Sequence, residues 1–161
     1  MAKLLGLLDS NVVIASIAEA HEHHEPSNAM FQTFPTLSFA VAAHSYAEAY
    51  SILTRKSANS FFRRPPADAI AALESVAARC ALVGLTHAQT FDAVRQFASE
   101  GGIGPRLYDK LIGETAMLNG LDTIITWNLS HMSSLFPRLD VLDPASFAKR
   151  REPSKKSRRK K

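Results

Sequence analysis

The chain has 161 residues, 46% of them apolar, enough for a single soluble domain with a substantial core. Its formal net charge of +4 conceals two unlike parts. The segment from Lys149 onward, "KRREPSKKSRRKK", holds nine of the nineteen basic residues and one of the fifteen acids, for +8, which leaves ten basic and fourteen acidic residues, or −4, in 1–148.

These numbers exclude several classes. No apolar run approaches the roughly 18 residues of a membrane span, and the N-terminal run is broken at Asp9, too early for a signal peptide. Cys80 stands alone, so no internal disulfide can form, and a reducing cytoplasm is the expected compartment. The expected organisation is one domain over 1–148 and a basic, disordered tail over 149–161 with no apolar residue to bury. Such a tail can hold nucleic acid by neutralising phosphates, or simply be a solvated end.

In chain order, "LLGLL" (4–8) predicts a short buried strand, with Asp9-Ser10 as the N-cap of a helix over 11–21. Pro26 predicts the first turn of a second helix, with Met30, Phe31 and Phe34 as its apolar stripe. "LSFAVAA" (37–43) predicts a strand and "HSYAEAYSILTRK" (44–56) an amphipathic helix, before a loop over 57–66. A helix over 66–79, the strand "CALVGL" (80–85) and a helix over 86–100 stopped by Gly101-Gly102 follow. The remainder predicts a helix over 107–119 ended by Gly120, the strand "DTIITW" (122–127), a short helix near 131–136 and the strand "LDVLDP" (139–144). Strands alternating with helices imply a parallel sheet covered on both faces.

In such sheets ligands bind beyond the carboxyl ends of the strands, where Asp9 falls. Each polar candidate has a plain structural explanation. Asp9 is a good N-cap. Ser45-Tyr46-Ala47-Glu48 fits a capping box. Asp109 suits the first turn of its helix, and Asn128 a turn or cap beside Thr126. Lys110 and Arg106 are most simply surface charges. Gly113, Ala116 and Gly120 make a small-residue stripe after Asp109, for close packing or for a ligand. "HEHHE" (21–25) has His21 and Glu25 at helical spacing, but Pro26 spoils the geometry, and a polar turn explains it better.

Together, Asp9, Glu48, Asp109 and Asn128 all fall where a parallel sheet can gather them on one rim. Two carboxylates about 4 Å apart repel by about 1 kcal/mol in water and about 4 at an effective dielectric of 20. Three would need a cation, and hard oxygen ligands without thiolates point to Mg²⁺ or Mn²⁺. Such a site suits phosphodiester hydrolysis.

The motifs "LLDSNVVIA" (7–15), "SYAEAYSILTR" (45–55), "RLYDKLIGETAMLNGLDTIITWNLSHM" (106–132) and "VLDP" (141–144) resemble those of PIN-domain ribonucleases, in particular the VapC-like toxins of bacterial toxin–antitoxin pairs. "HEHHEPSNAM" (21–30) is also similar to that family's entry into its second helix, and the likeness spans residues 3–147. The resemblance implies an α/β/α sandwich around a parallel sheet of about five strands. It implies that Asp9, Glu48 and Asp109 bind Mg²⁺ or Mn²⁺ for RNA cleavage, with Asn128 at a fourth position where many relatives carry Asp. By the same resemblance Asn128 and Thr126 would hold water or substrate, the lost charge bearing on a second ion. The partners implied are an RNA substrate, a second copy in a homodimer and a small antitoxin inserting an Arg near the acids, with Phe61 and Phe62 a candidate part of that surface.

Two alternatives differ in kind. A receiver-like domain also ends a strand with Asp, but here Ser10 stands where an acidic pair is required and "VLDP" supplies no Lys. A non-catalytic RNA-binding or partner-binding protein would rely on the basic tail instead of the acids.

Overall fold

In the computed structural model, residues 3–56 and 62–151 are described. Five strands form one sheet: β1 (Gly6–Leu8), β2 (Phe39–Ala42), β3 (Cys80–Val83), β4 (Thr123–Ile125) and β5 (Asp140–Leu142). All pair in parallel, in the order β3-β2-β1-β4-β5, so β1 is central. Leu7 lies in register with Ala40 and Ile124, and Leu8 with Val41 and Ile125.

Because successive strand residues face opposite sides, the leucine run serves two cores at once. Leu8, Val41 and Ile125 join one cluster with Val12, Val13, Phe39, Leu53 and Phe147. Leu7, Ala40 and Ile124 join the other with Ile112, Ala116, Met132 and Phe136. The first is covered by α1 (Ser10–Ile17), α2 (His24–Thr33), α3 (Ala43–Thr54), α4 (Pro66–Ala77) and, after β5, α8 (Pro144–Arg151). The second is covered by α6 (Arg106–Leu118) and α7 (Leu129–Leu135), with α5 (His87–Ser99) packed on α6. The three-layer α/β/α sandwich around a five-stranded parallel sheet is therefore the fold of this chain.

Local readings change in instructive places. α1 stops at Ile17 rather than running to residue 21, and α2 begins at His24, two residues before Pro26. α3 begins at Ala43, so Ser45 lies inside the helix instead of at its cap. Its hydroxyl is buried without a partner among the described residues, and the capping box with Glu48 does not form. A capping box does form at α5, between Thr86 and Gln89. Lys110 is buried rather than superficial, its ammonium 3.2 Å from Glu114 Oε1 and over the Phe136 ring. α8 takes in Lys149, Arg150 and Arg151. The rest of the basic segment, and Phe61, lie outside the described residues.

Gly113 explains the small-residue stripe. A Cβ there would stand 2.0 Å from the Phe136 ring, so the glycine lets α7 lie against α6. Gly120, at φ +67 just past the α6 C-cap, takes the left-handed conformation that ends helices. Among the described residues no helix is long and apolar enough to cross a membrane.

Candidate active site

The strand order creates the site. From β1 the chain builds outward through β2 to β3, then returns to the other side of β1 with β4. The connections diverge beyond the carboxyl ends of β1 and β4, the crevice where open α/β sheets bind ligands. Asp9 follows β1 directly, and Thr126 follows β4. The Asp9 amide donates to Ile125 O at 3.0 Å, continuing the ladder to the rim.

Asp9 occupies the N-cap position of α1, yet its side chain makes no capping bond. The carboxylate is turned into a polar cluster. It accepts from the Thr126 hydroxyl at 2.7 Å and the Asn11 amide at 2.9 Å on Oδ2, and from the Ser10 hydroxyl at 3.2 Å on Oδ1. Asn11 in turn accepts from the Trp127 N–H at 3.1 Å, and the Thr126 hydroxyl accepts from the Asn128 N–H at 2.9 Å. Only 3% of Asp9 is exposed. Burial pushes its carboxyl up to about 6 from an ordinary 3.8; the Thr126 bond opposes this, and the charges of Asp109 and Glu48 add to it.

Glu48 on α3 and Asp109 in the first turn of α6 line a groove of about 630 Å³, together with Arg106, Asn128, Ser130 and His131. His131 on α7 places Nδ1 2.7 Å from Asp109 Oδ2. Burial raises the Asp109 carboxyl, and His131 and Arg106 oppose the rise. Asn128 is exposed at the start of α7, its amide 3.4 Å from His131 Nδ1, and it makes no side-chain capping bond.

Of the four residues singled out in the sequence, Glu48, Asp109 and Asn128 thus line one groove, while Asp9 is buried and not on its lining, though the charges of Asp109 and Glu48 act on it. The structure adds Asn11 and His131. Asn11 had a weak signal, standing two residues after a candidate acid. His131 had a faint one, three residues after Asn128 on a short helix; its contact with Asp109 arises from tertiary packing. Of "HEHHE", residues 21–23 form the helix-to-helix turn and His24 and Glu25 open α2; His23 stacks on Trp127 with ring centroids 3.9 Å apart.

The donor set suits a hard divalent cation: three carboxylates, one buried and electrostatically strained by the other two, with no thiolate among them. Among the described residues no three His, Cys, Asp or Glu side chains already converge on one point. Asp109 is held by His131, and Asp9 by Thr126 and Asn11, so a cation would compete with these partners.

The chain was compared with known proteins. VapC20 of Mycobacterium tuberculosis, a sarcin-ricin loop cleaving toxin, superimposes with a TM-score of 0.62 at 12% identity, over 80% of this chain and 93% of that one. The chain has the PIN-domain fold of the VapC toxins. VapBC-1 from nontypeable Haemophilus influenzae (TM-score 0.57, 18% identity) matches 88% of this chain and 98% of its own. FitAcB from Neisseria gonorrhoeae (0.56, 17%) matches 87% and 98%. No protein-family model matches the sequence. No curated protein matches it either. At these identities the PIN likeness is one of fold.

Proposed function

We propose that this PIN-fold protein is a divalent-metal-dependent endoribonuclease, the toxin of a bacterial toxin–antitoxin pair. Asp9, Glu48 and Asp109 would hold Mg²⁺ or Mn²⁺. The observation that carries the reading is Asp9: a carboxylate buried at the switch point of the sheet, pushed up to about 6 with two more acids acting on it. An apolar or neutral residue would be cheaper there unless a cation is the intended partner.

When bound, the ion would lower the pKa of an attacking water and offset charge developing on the phosphate. The protein's own groups have separable roles. Thr126 and Asn11 orient the Asp9 carboxylate through two donors on one oxygen. His131 orients Asp109 and, when protonated, adds positive charge to a groove that must accept an anionic strand. Arg106 and Asn128, also on the lining, are suited to a phosphate and a 2′-hydroxyl or base edge, respectively. A small antitoxin, a second copy in a homodimer and a cytoplasmic location complete the proposal. They rest on the sequence resemblance and the kinship of fold with VapBC-1 and FitAcB.

The test is cleavage of total and synthetic RNA with Mg²⁺ or Mn²⁺, in parallel with chelator, Asp9→Asn and Asp109→Asn. Metal-dependent cleavage lost in both variants is the expected result. Intact RNA throughout, with binding that depends on the residues after Arg151, would leave a basic RNA binder instead.

A further inference from the structure

A second concave site lies away from the acids, at the other end of α1. The seven residue steps from Asp9 to Ser16 span about 10 Å of helix axis. There, α1, α2, α4 and the residues flanking α4 border an open cavity of about 290 Å³ lined by Ser16, Asn28, Phe31, Arg64, Ser75 and Arg79, among others. Among the described residues no carboxylate lines it. Neither arginine forms an ion pair among the described residues, and Glu152 is the one Asp or Glu outside them.

A guanidinium carries five N–H donors. Each of these makes one hydrogen bond among the described residues: Arg64 to Ile17 O at 2.7 Å, and Arg79 to Phe31 O. Arg79 also lies over the Phe31 ring, 5.5 Å from its centroid. These contacts anchor both side chains while leaving most of their donors for the cavity. The Ser16 and Ser75 hydroxyls already donate within their own helices, to Val13 O and Ala71 O. The Asn28 side chain lines the same cavity. Helix-end carbonyls explain one anchor for each arginine, Arg64 at Ile17 in the last turn of α1 and Arg79 at Phe31 in the last turn of α2. They do not explain why two converge, half-buried and without an acid, on one cavity.

We infer that the Arg64–Arg79 cavity is a phosphoryl-binding site, separate from the acidic groove, in which the two guanidiniums and the Asn28 amide hold the anionic oxygens of a phosphoryl group. Fork-shaped donors match phosphate oxygens, and two fixed positive charges suit an anionic group. The phosphoryl group has two possible sources, a free phosphate compound or the backbone of an RNA strand. The site stands whether or not the acids cleave RNA.

The test uses the full-length, metal-free protein, so that the acidic groove cannot recruit phosphate through an ion. Pyrophosphate is titrated by calorimetry into wild type, Arg79→Gln, Ser75→Glu and, as a control for the basic tail, Lys155→Gln/Lys156→Gln. Saturable binding is expected in wild type and the tail variant, with at least about a tenfold loss in Arg79→Gln. Ser75→Glu, an exposed helical position, supplies an internal carboxylate to the arginines. It should abolish binding while raising Tm, which separates loss of the site from loss of the fold. Unsaturable binding in wild type, or unchanged affinity in a folded Ser75→Glu, overturns the assignment. A 2′-O-methyl RNA oligomer then decides the source. Parallel weakening in Arg79→Gln identifies the strand's phosphates, and unchanged RNA affinity identifies a free phosphate compound.

Discussion

At Asp9 the demands of stability and chemistry oppose each other. In metal-free protein its carboxyl titrates near 6 when folded and near 3.8 when unfolded, so between these values the native state binds the proton more tightly. Stability therefore falls as pH rises from about 4 to about 6, by about 3 kcal/mol at most. Asp9→Asn, which keeps acceptors for Thr126 and Asn11, should be about 2–3 kcal/mol more stable than wild type at pH 7.5 in chelator and equal to it below pH 4. Urea denaturation at the two pH values measures this, and the same variant should be inactive in cleavage. Thr126→Val tests the opposite side of the balance. It removes the 2.7 Å donor that holds the Asp9 carboxyl down, so the acidic limb of the pH–rate profile should move to higher pH.

Among the helices, the α6–α7 contact decides the geometry of the site, because α7 carries both Asn128's neighbourhood and His131. Alanine normally stabilises a helix relative to glycine by about 1 kcal/mol. At Gly113 the steric cost wins, since the new Cβ would meet the Phe136 ring at 2.0 Å. Gly113→Ala is expected to destabilise by about 1–3 kcal/mol through overpacking, and to lower cleavage by shifting His131. Gly113→Ala/Phe136→Leu should recover much of both in thermal melts and activity assays.

The same elements show what sequence reasoning reaches. Strands buried on both faces are continuous apolar runs, which is why β1, β2 and β4 were legible with errors of a residue or two at their ends. Asp9, Asp109 and Asn128 stood out because each sits at a strand end or helix start, and Glu48, in the second turn of α3, faces the same groove as Asp109 and Asn128. What misled was local chemistry that competes with tertiary packing. The Ser45–Glu48 pattern is a sound capping box, but α3 starts at Ala43 and buries Ser45. Lys110 looks like a surface charge, yet its stem lies against Phe136 and its ammonium meets Glu114. His131 and Asp109 are 22 positions apart, and no local period links them.

For the molecule as a whole, the acidic domain and the basic segment that follows it should respond differently to solution conditions. A divalent ion that binds the folded acids, and not the unfolded chain, stabilises by about 2.7 kcal/mol at a hundred times its Kd. Addition of Mg²⁺ to metal-free protein should therefore raise Tm by several degrees in wild type and much less in Asp9→Asn, as differential scanning calorimetry would register. RNA affinity contributed by the basic segment should instead fall steeply with added salt.

The position of β1 has a consequence for motion. Asp9 is anchored by its amide in the middle of the sheet, with a paired strand on either side, whereas His131 rides on a seven-residue helix at the rim. The two halves of the crevice should thus keep different time. Under native conditions the Asp9 and Thr126 amides should exchange with deuterium only on global opening, and those of α7 far sooner through local opening. The site would then be half fixed and half adjustable, able to admit a bulky strand at α7 without loosening the carboxylate beneath it.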